Sequence, residues 1–281
     1  MKNQLLQISV LGLLVSLSLF SCKKSAENSQ QSTEAAENNA FAEAQFNDLT
    51  TLIDQAAINS TVNFDVNGIR DGQISQMGSS CITLSIDTTS NPKKITVDFG
   101  TSNCYCLDGR NRRGKVIATY TGKYRESGTI VNFTLENYYV DDNKIEGTKT
   151  ITNQGLNQAG NWVYKIVVNG AITKANNGGT FTWASTRYRE WKAGAATALN
   201  ILDDVYGITG NASGTTIEGK EYTIAITQEL VRKMNCKWFE SGVLDLTLTG
   251  SPKITLDYGS TGCDNAAVVK ILGIEYPIQL K

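Results

Sequence analysis

Asn91-Pro92-Lys93-Lys94-Ile95-Thr96-Val97-Asp98-Phe99-Gly100, followed after three residues by Cys104, is the stretch from which the architecture follows. Successive side chains of a strand point to opposite faces, so Ile95, Val97 and Phe99 share one face and Thr96 and Asp98 the other. Ahead of Pro92 lies another alternating run, Ile82-Thr83-Leu84-Ser85-Ile86, opened by Cys81. Strand, proline-containing turn, strand and returning cysteine read as a β-hairpin. The unit recurs near the C-terminus. There Val243-Leu244-Asp245-Leu246-Thr247-Leu248 precedes Ser251-Pro252-Lys253-Ile254-Thr255-Leu256-Asp257-Tyr258-Gly259, with Cys263 after three more residues and Cys236 upstream. Two of the chain's three prolines occupy the equivalent turn. Equivalence of position pairs Cys81 with Cys104 and Cys236 with Cys263. Cys106 is left over, either free or a competitor for Cys81. Because Asp98 and Asp257 recur in both copies, each is expected to serve its own hairpin, bonding a nearby amide or lysine.

Outward from the hairpins, alternating runs dominate: Val116 to Tyr124, Ile130 to Val140, Lys144 to Thr152, Trp162 to Thr173, Thr180 to Trp191, Thr216 to Thr227 and Val268 to Leu280. Turn clusters separate them, among them Arg125-Glu126-Ser127-Gly128, Asp141-Asp142-Asn143 and Asn176-Asn177-Gly178-Gly179. Short turns between long strands predict antiparallel neighbours, and no helical crossovers for a parallel sheet are visible. Ile145-Glu146-Gly147 and Ile217-Glu218-Gly219 open two similar segments. Residues 41–58 alone have helical periodicity, with Phe41, Ala44, Leu49, Leu52, Ile53 and Ala56 on one stripe. The fold class expected is all-β, an antiparallel meander forming a sandwich or a strongly curved sheet, with one N-terminal helix against it. Residues 41–281 make one β-rich domain, and a division into two lobes near residue 156 stays open.

The N-terminus carries an address. Lys2 precedes an apolar run from Leu5 to Phe20, 16 residues long, short of the roughly 20 that span a bilayer. Residues 1–21 read as a secretory signal peptide. Its exit, Leu19-Phe20-Ser21-Cys22, resembles the bacterial lipobox. That resemblance implies cleavage before Cys22, lipidation of its thiol, and membrane anchoring through acyl chains. Residue 23 is Lys, not the Asp of inner-membrane retention, which favours the outer membrane, periplasmic or surface face open. Residues 22–40, polar and without large apolar side chains until their end, read as a flexible tether.

Composition bounds the chemistry. Lys plus Arg number 26 against 27 acids; no basic excess points to nucleic acid. The chain has no histidine, which removes Ser-His-Asp and Cys-His catalysis and His-ligated zinc. Six cysteines, one spent on lipid, suit disulfides in an oxidising compartment better than a metal. No cofactor, metal or catalytic residue is assigned.

The string Cys106-Leu107-Asp108-Gly109-Arg110-Asn111-Arg112-Arg113-Gly114, the run Tyr120-Thr121-Gly122, the start Ile145-Glu146-Gly147, Trp183, Trp191, Ile208-Thr209-Gly210 and the closing Asp257-Tyr258-Gly259 with Cys263-Asp264 are similar to uncharacterised outer-membrane and surface lipoproteins of the Bacteroidota. The resemblance implies an envelope setting and brings no activity.

Phe181-Thr182-Trp183-Ala184-Ser185-Thr186-Arg187-Tyr188-Arg189-Glu190-Trp191 is the candidate ligand-binding strand. Extended, it sets Trp183, Arg187, Arg189 and Trp191 on one face, aromatic planes beside cations. Tryptophan and arginine stems also fill cores and sheet margins. Arg110, Arg112, Arg113 and Lys115 form a basic segment read as a loop. Three functions follow in order: a non-enzymatic envelope lipoprotein binding a glycan or partner protein, a carrier or receptor for an apolar ligand in a curved sheet, and a carboxylate-dependent hydrolase.

Overall fold

The computed structural model describes residues 34–53, 56, 81–197, 201–236, 238–260 and 262–279. The signal segment, Cys22, the first part of the tether, residues 57–80 and the C-terminal Leu280 and Lys281 lie outside the described residues.

Among the described residues, fourteen strands follow helix α1 (34–53). They are β1 Thr83–Asp87, β2 Lys93–Asp98, β3 Cys104–Tyr105, β4 Asn111–Tyr120, β5 Ile130–Val140, β6 Asn143–Leu156 and β7 Trp162–Thr173. The second half contributes β8 Thr180–Ala193, β9 Val205–Thr215, β10 Glu221–Lys233, β11 Phe239–Leu248, β12 Ile254–Asp257, β13 Ala266–Ile271 and β14 Ile274–Gln279. All lie in one open antiparallel meander in chain order, with the short β3 on the side of β4. The all-β meander with a single N-terminal helix is therefore what the chain forms, as one continuous sheet not closed into a barrel. β6, ending at Leu156, pairs along its length with β7, so both halves of the chain share that sheet.

The sheet curves around the helix. Residues of α1 meet side chains of β4, β6 and β8 directly and share a cavity with residues of β10 and β11. Flat, β4 to β11 would extend over roughly 34 Å, several times the width of a helix. Only a bent sheet brings both ends of that span to one helix. Register shifts at Arg113/Lys115, Thr134/Tyr139 and Ala225/Leu230 supply the bend, since a bulge kinks and overtwists its strand.

Because the sheet wraps it, α1 buries more than a stripe. Ala35, Ala42, Phe46, Leu49, Leu52 and Ile53 are at most 1% exposed, and Asn38, Asn39, Gln45 and Thr50 are buried beside them. The helix thus starts at least seven residues before Phe41, inside the segment expected as tether. Ala44, expected on the apolar stripe, is exposed. Polar residues close to the N-terminal side hid a helix whose stability comes from tertiary packing rather than composition.

Two further sequence readings are corrected. Thr216 to Thr227 is not one strand: Thr216 and Lys220 close a turn, with Ile217-Glu218-Gly219 at its tip, so the likeness to Ile145-Glu146-Gly147 marks no shared strand start. Besides the two-residue β3, the strand missed is β9, whose glycines blank its alternation. Gly210 lies directly opposite Arg187 at φ +117°, and a Cβ there would stand 2.1 Å from the Thr186 carbonyl oxygen. Likewise Val268 to Leu280 contains a tight hairpin turn at Leu272-Gly273 between β13 and β14.

Both disulfides form as the repeat implied, Cys81–Cys104 and Cys236–Cys263, closing 23 and 27 residues. Cys106 is free and buried, and burial pushes its thiol pKa up. Loop-closure entropy for separations of this size corresponds to about 3 kcal/mol each. Replacing Cys81 and Cys104 together by Ser is expected to lower unfolding stability by that amount in urea. An equal midpoint for wild type and variant would refute it.

Candidate functional site

Charged and polar groups of the sheet reach up to α1 and fix it. Arg112 on β4, fully buried, donates from Nη2 to Asp48 of the helix at 2.8 Å and grips Asp108 through Nη1 and Nη2 at 2.8 and 2.7 Å. Lys149 on β6 donates to the Phe46 carbonyl at 2.8 Å and to the Thr50 hydroxyl. On β8, Trp183 Nε1 donates to Asn39 Oδ1 at 2.8 Å, and Arg187 Nε reaches Glu43 Oε1 at 3.4 Å. Buried charges require such partners, because removing an ion from water costs several kcal/mol.

The aromatic contact at the centre depends on missing side chains. Phe46 stacks on Trp183 with centroids 5.7 Å apart and planes 21° from parallel. Trp183 is flanked across the ladder by Gly170 on β7 and Gly214 on β9. A Cβ on Gly170 would fall 2.2 Å from Phe46 Cζ. Gly170 leaves the room that the phenyl ring fills, whereas a Cβ on Gly214 would meet the Thr182 carbonyl oxygen at 2.1 Å and Tyr222.

Beside this stack a cavity of about 360 Å³ opens between α1 and the concave face of the sheet. Its apolar wall is Phe46, Trp183, Ile166, Val168, Ile208 and Phe239. Five cations line it (Arg110, Lys149, Arg187, Arg189 and Arg232) against two acids, Glu43 and Asp48. Arg110 Nη2 donates to Gln45 at 2.7 Å. Arg189 Nη2 donates to the Tyr124 hydroxyl at 2.7 Å, and its guanidinium lies 4.9 Å from the Tyr206 ring centroid. Two polar atoms behave differently. Ser185 Oγ and Arg187 Nη1 are buried without a hydrogen-bond partner among the described residues, and each residue is only 5% exposed. A buried donor left unmade costs about 1–3 kcal/mol.

The candidate strand is placed with its one-face arrangement intact and that face turned inward. Phe181, Trp183, Arg187 and Trp191 are buried and Tyr188, of opposite parity, is 41% exposed. No flat strip of tryptophan faces outward: Trp183 is 2% and Trp191 4% exposed. Trp191 Nε1 donates to Asp204 at 3.0 Å and the ring carries Arg125 4.4 Å from its centroid, so it is part of the core. Arg187 and Arg189 line the cavity, as does Trp183. Ser185 shares their parity and was legible by alternation. Lys149, an isolated cation on the inward face of β6 beside Ile151, was a second available signal.

The basic segment is not a loop. Arg112 and Arg113 belong to β4; Arg113 pairs with Asp142, and Lys115 lies 3.1 Å from Asp98. These cations are matched, which argues against an anion site there. Asp98 Oδ1 accepts the Gly100 amide at 2.9 Å and Asp257 Oδ1 the Gly259 amide at 2.9 Å. Asp257 also lies 3.4 Å from Lys270. Each aspartate braces its own hairpin, as the repeat required. Glu43 and Asp48, the two carboxylates of the cavity, face guanidinium groups and serve charge pairing across the helix–sheet seam.

Comparison with protein-family models, with curated proteins and with solved structures finds no match.

Proposed function

We propose that the protein is a non-enzymatic lipoprotein of the bacterial outer membrane, anchored through Cys22, that holds a small ligand between its helix and its curved sheet. The observation that carries this reading is the cavity itself. Concave sites of roughly 300–1,000 Å³ with apolar walls and a few placed polar groups are where small molecules bind, and this one lies at the lower end of that range. Among the functions the sequence left open, the geometry favours the receptor or carrier over sugar stacking on an outer tryptophan strip, because both indoles point inward. A compact glycan with an acidic ring remains compatible with the same cavity.

The anchor rests on Leu19-Phe20-Ser21-Cys22. The test uses the whole protein extracted from host membranes in mild detergent. Native mass spectrometry is expected to show a small ligand released on denaturation, and the cavity-filling variant Ile208→Trp is expected to lack it. Cys22→Ser is expected to leave the membrane fraction. Extracted protein without any small adduct, or an Ile208→Trp variant carrying the same adduct, would overturn the cavity reading; Cys22→Ser still partitioning with membranes would overturn the anchor.

A further inference from the structure

We infer that the cavity contains an oxyanion subsite built on Ser185 and Arg187, and that its ligand is a compact organic acid. This rests on the cavity being the ligand site. The two residues stand two positions apart on β8, on the same inward face, roughly 7 Å apart along the strand. Both line the cavity. Both are nineteen-twentieths buried, and Ser185 Oγ and Arg187 Nη1 have no hydrogen-bond partner among the described residues.

The donor set selects the ligand's charge. Guanidinium offers donors alone and stays charged at all physiological pH, and a serine hydroxyl can donate beside it. Glu43 engages Arg187 through Nε at 3.4 Å, which leaves the Nη1 edge for another acceptor. The remaining acid of the lining, Asp48, is drawn to Arg112 at 2.8 Å on the seam. Arg110 is paired with Asp141 outside the lining, so four cations (Lys149, Arg187, Arg189 and Arg232) remain against two acids around one space, and the field favours an anion over a neutral acceptor. Charge-assisted hydrogen bonds of this kind are the stronger ones.

The walls select the body. Trp183, Phe46, Ile166, Val168 and Ile208 present ring faces and aliphatic surface to the same space. Its volume of about 360 Å³ suits one ring or a short chain. Gly210, directly opposite Arg187 on β9, puts no side chain beside the guanidinium.

The test is titration calorimetry on the complete lipidated protein in detergent, with matched pairs: benzoate against benzamide, glucuronate against glucose, and inorganic phosphate alone. At least one acid is expected to bind roughly tenfold or more tighter than its neutral twin, a difference of about 1.4 kcal/mol. The favoured pair identifies an aromatic or a sugar body. Arg187→Gln is expected to reduce the acid to the level of its twin. Ser185→Ala, which removes a single unpartnered hydroxyl, is expected to weaken the acid severalfold and the twin less. That variant decides the matter should Arg187→Gln fail to fold. Acids and twins binding equally would refute the subsite while leaving the cavity as a ligand site. Phosphate binding as tightly as the acids would refute an organic body. Discrimination that survives both substitutions would place the anion elsewhere. If no probe binds and the native protein carries no adduct, subsite and cavity reading fall together.

Discussion

Arg112→Met is expected to lower the stability of the domain by about 3–5 kcal/mol at pH 7, the cost of stranding buried charge. The guanidinium is fully buried and holds two carboxylates, Asp108 and Asp48, that are only 15% and 9% exposed. Methionine fills part of the volume, leaves Asp108 without its cation and leaves Asp48 with only the more distant Arg110, at 3.6 Å. The sign of the pH dependence separates this account from simple loss of packing. Burial alone would raise the pKa of Asp108, but the hydrogen bonds and charge of Arg112 outweigh it and hold the carboxyl below its usual value. A depressed pKa in the folded state contributes stability that is present above the unfolded value, near 4, and is lost as pH falls through the folded one. In Arg112→Met the same carboxyl has burial without its cation, so its protonation should favour the fold. The gap between wild type and variant is therefore expected to narrow from pH 7 to pH 4 in urea unfolding. Asp48→Asn with Asp108→Asn in the Arg112→Met background should recover a large part of the loss. A gap independent of pH, unrelieved by the triple substitution, would rule out stranded charge as its cause.

Phe46→Ala should cost about 3–5 kcal/mol, the range for truncating a buried phenyl ring. Phe46 is 1% exposed and stacks on Trp183, whose bay exists because Gly170 has no side chain. The stronger statement is a coupling. Gly170→Ala alone drives a methyl to 2.2 Å from Phe46 Cζ; in so packed a core that overpacking costs about 1–3 kcal/mol. In the Phe46→Ala background the ring is gone and the methyl enters the space it left. The double-mutant cycle is expected to give a favourable coupling above about 1 kcal/mol. Additive losses would mean that α1 is not seated on Gly170. Phe46 lines the cavity and Gly170 lies behind it, and neither substitution replaces Ser185 or Arg187, so ligand discrimination by charge should persist in any variant that still folds.

The local features of this chain were legible in its residues. Alternation located β5 and β7 at the bounds the structure gives, because a half-buried strand writes its own period. The hairpin repeat fixed both disulfides and the duty of Asp98 and Asp257, since each unit closes on itself within about two dozen residues. Trp183, Arg187 and Arg189 were found together because strand parity is local.

What the residues could not state was which face would turn inward and what would cover it. Nothing near Arg112 in sequence announces Asp48, 64 positions away, so a cation of the core passed for part of a solvated loop. Glycines at 207, 210 and 214 erase the alternation of β9, and their purpose appears only beside β8. Curvature belongs to the same class: it comes from bulges between neighbouring strands, and it converts a strip of tryptophan and arginine into the wall of a cavity. Side-chain period and turn chemistry are properties of a few adjacent residues and survive in the string. Burial of a charge, and the space beside it, arise between segments far apart in the chain, and only folding brings them into contact.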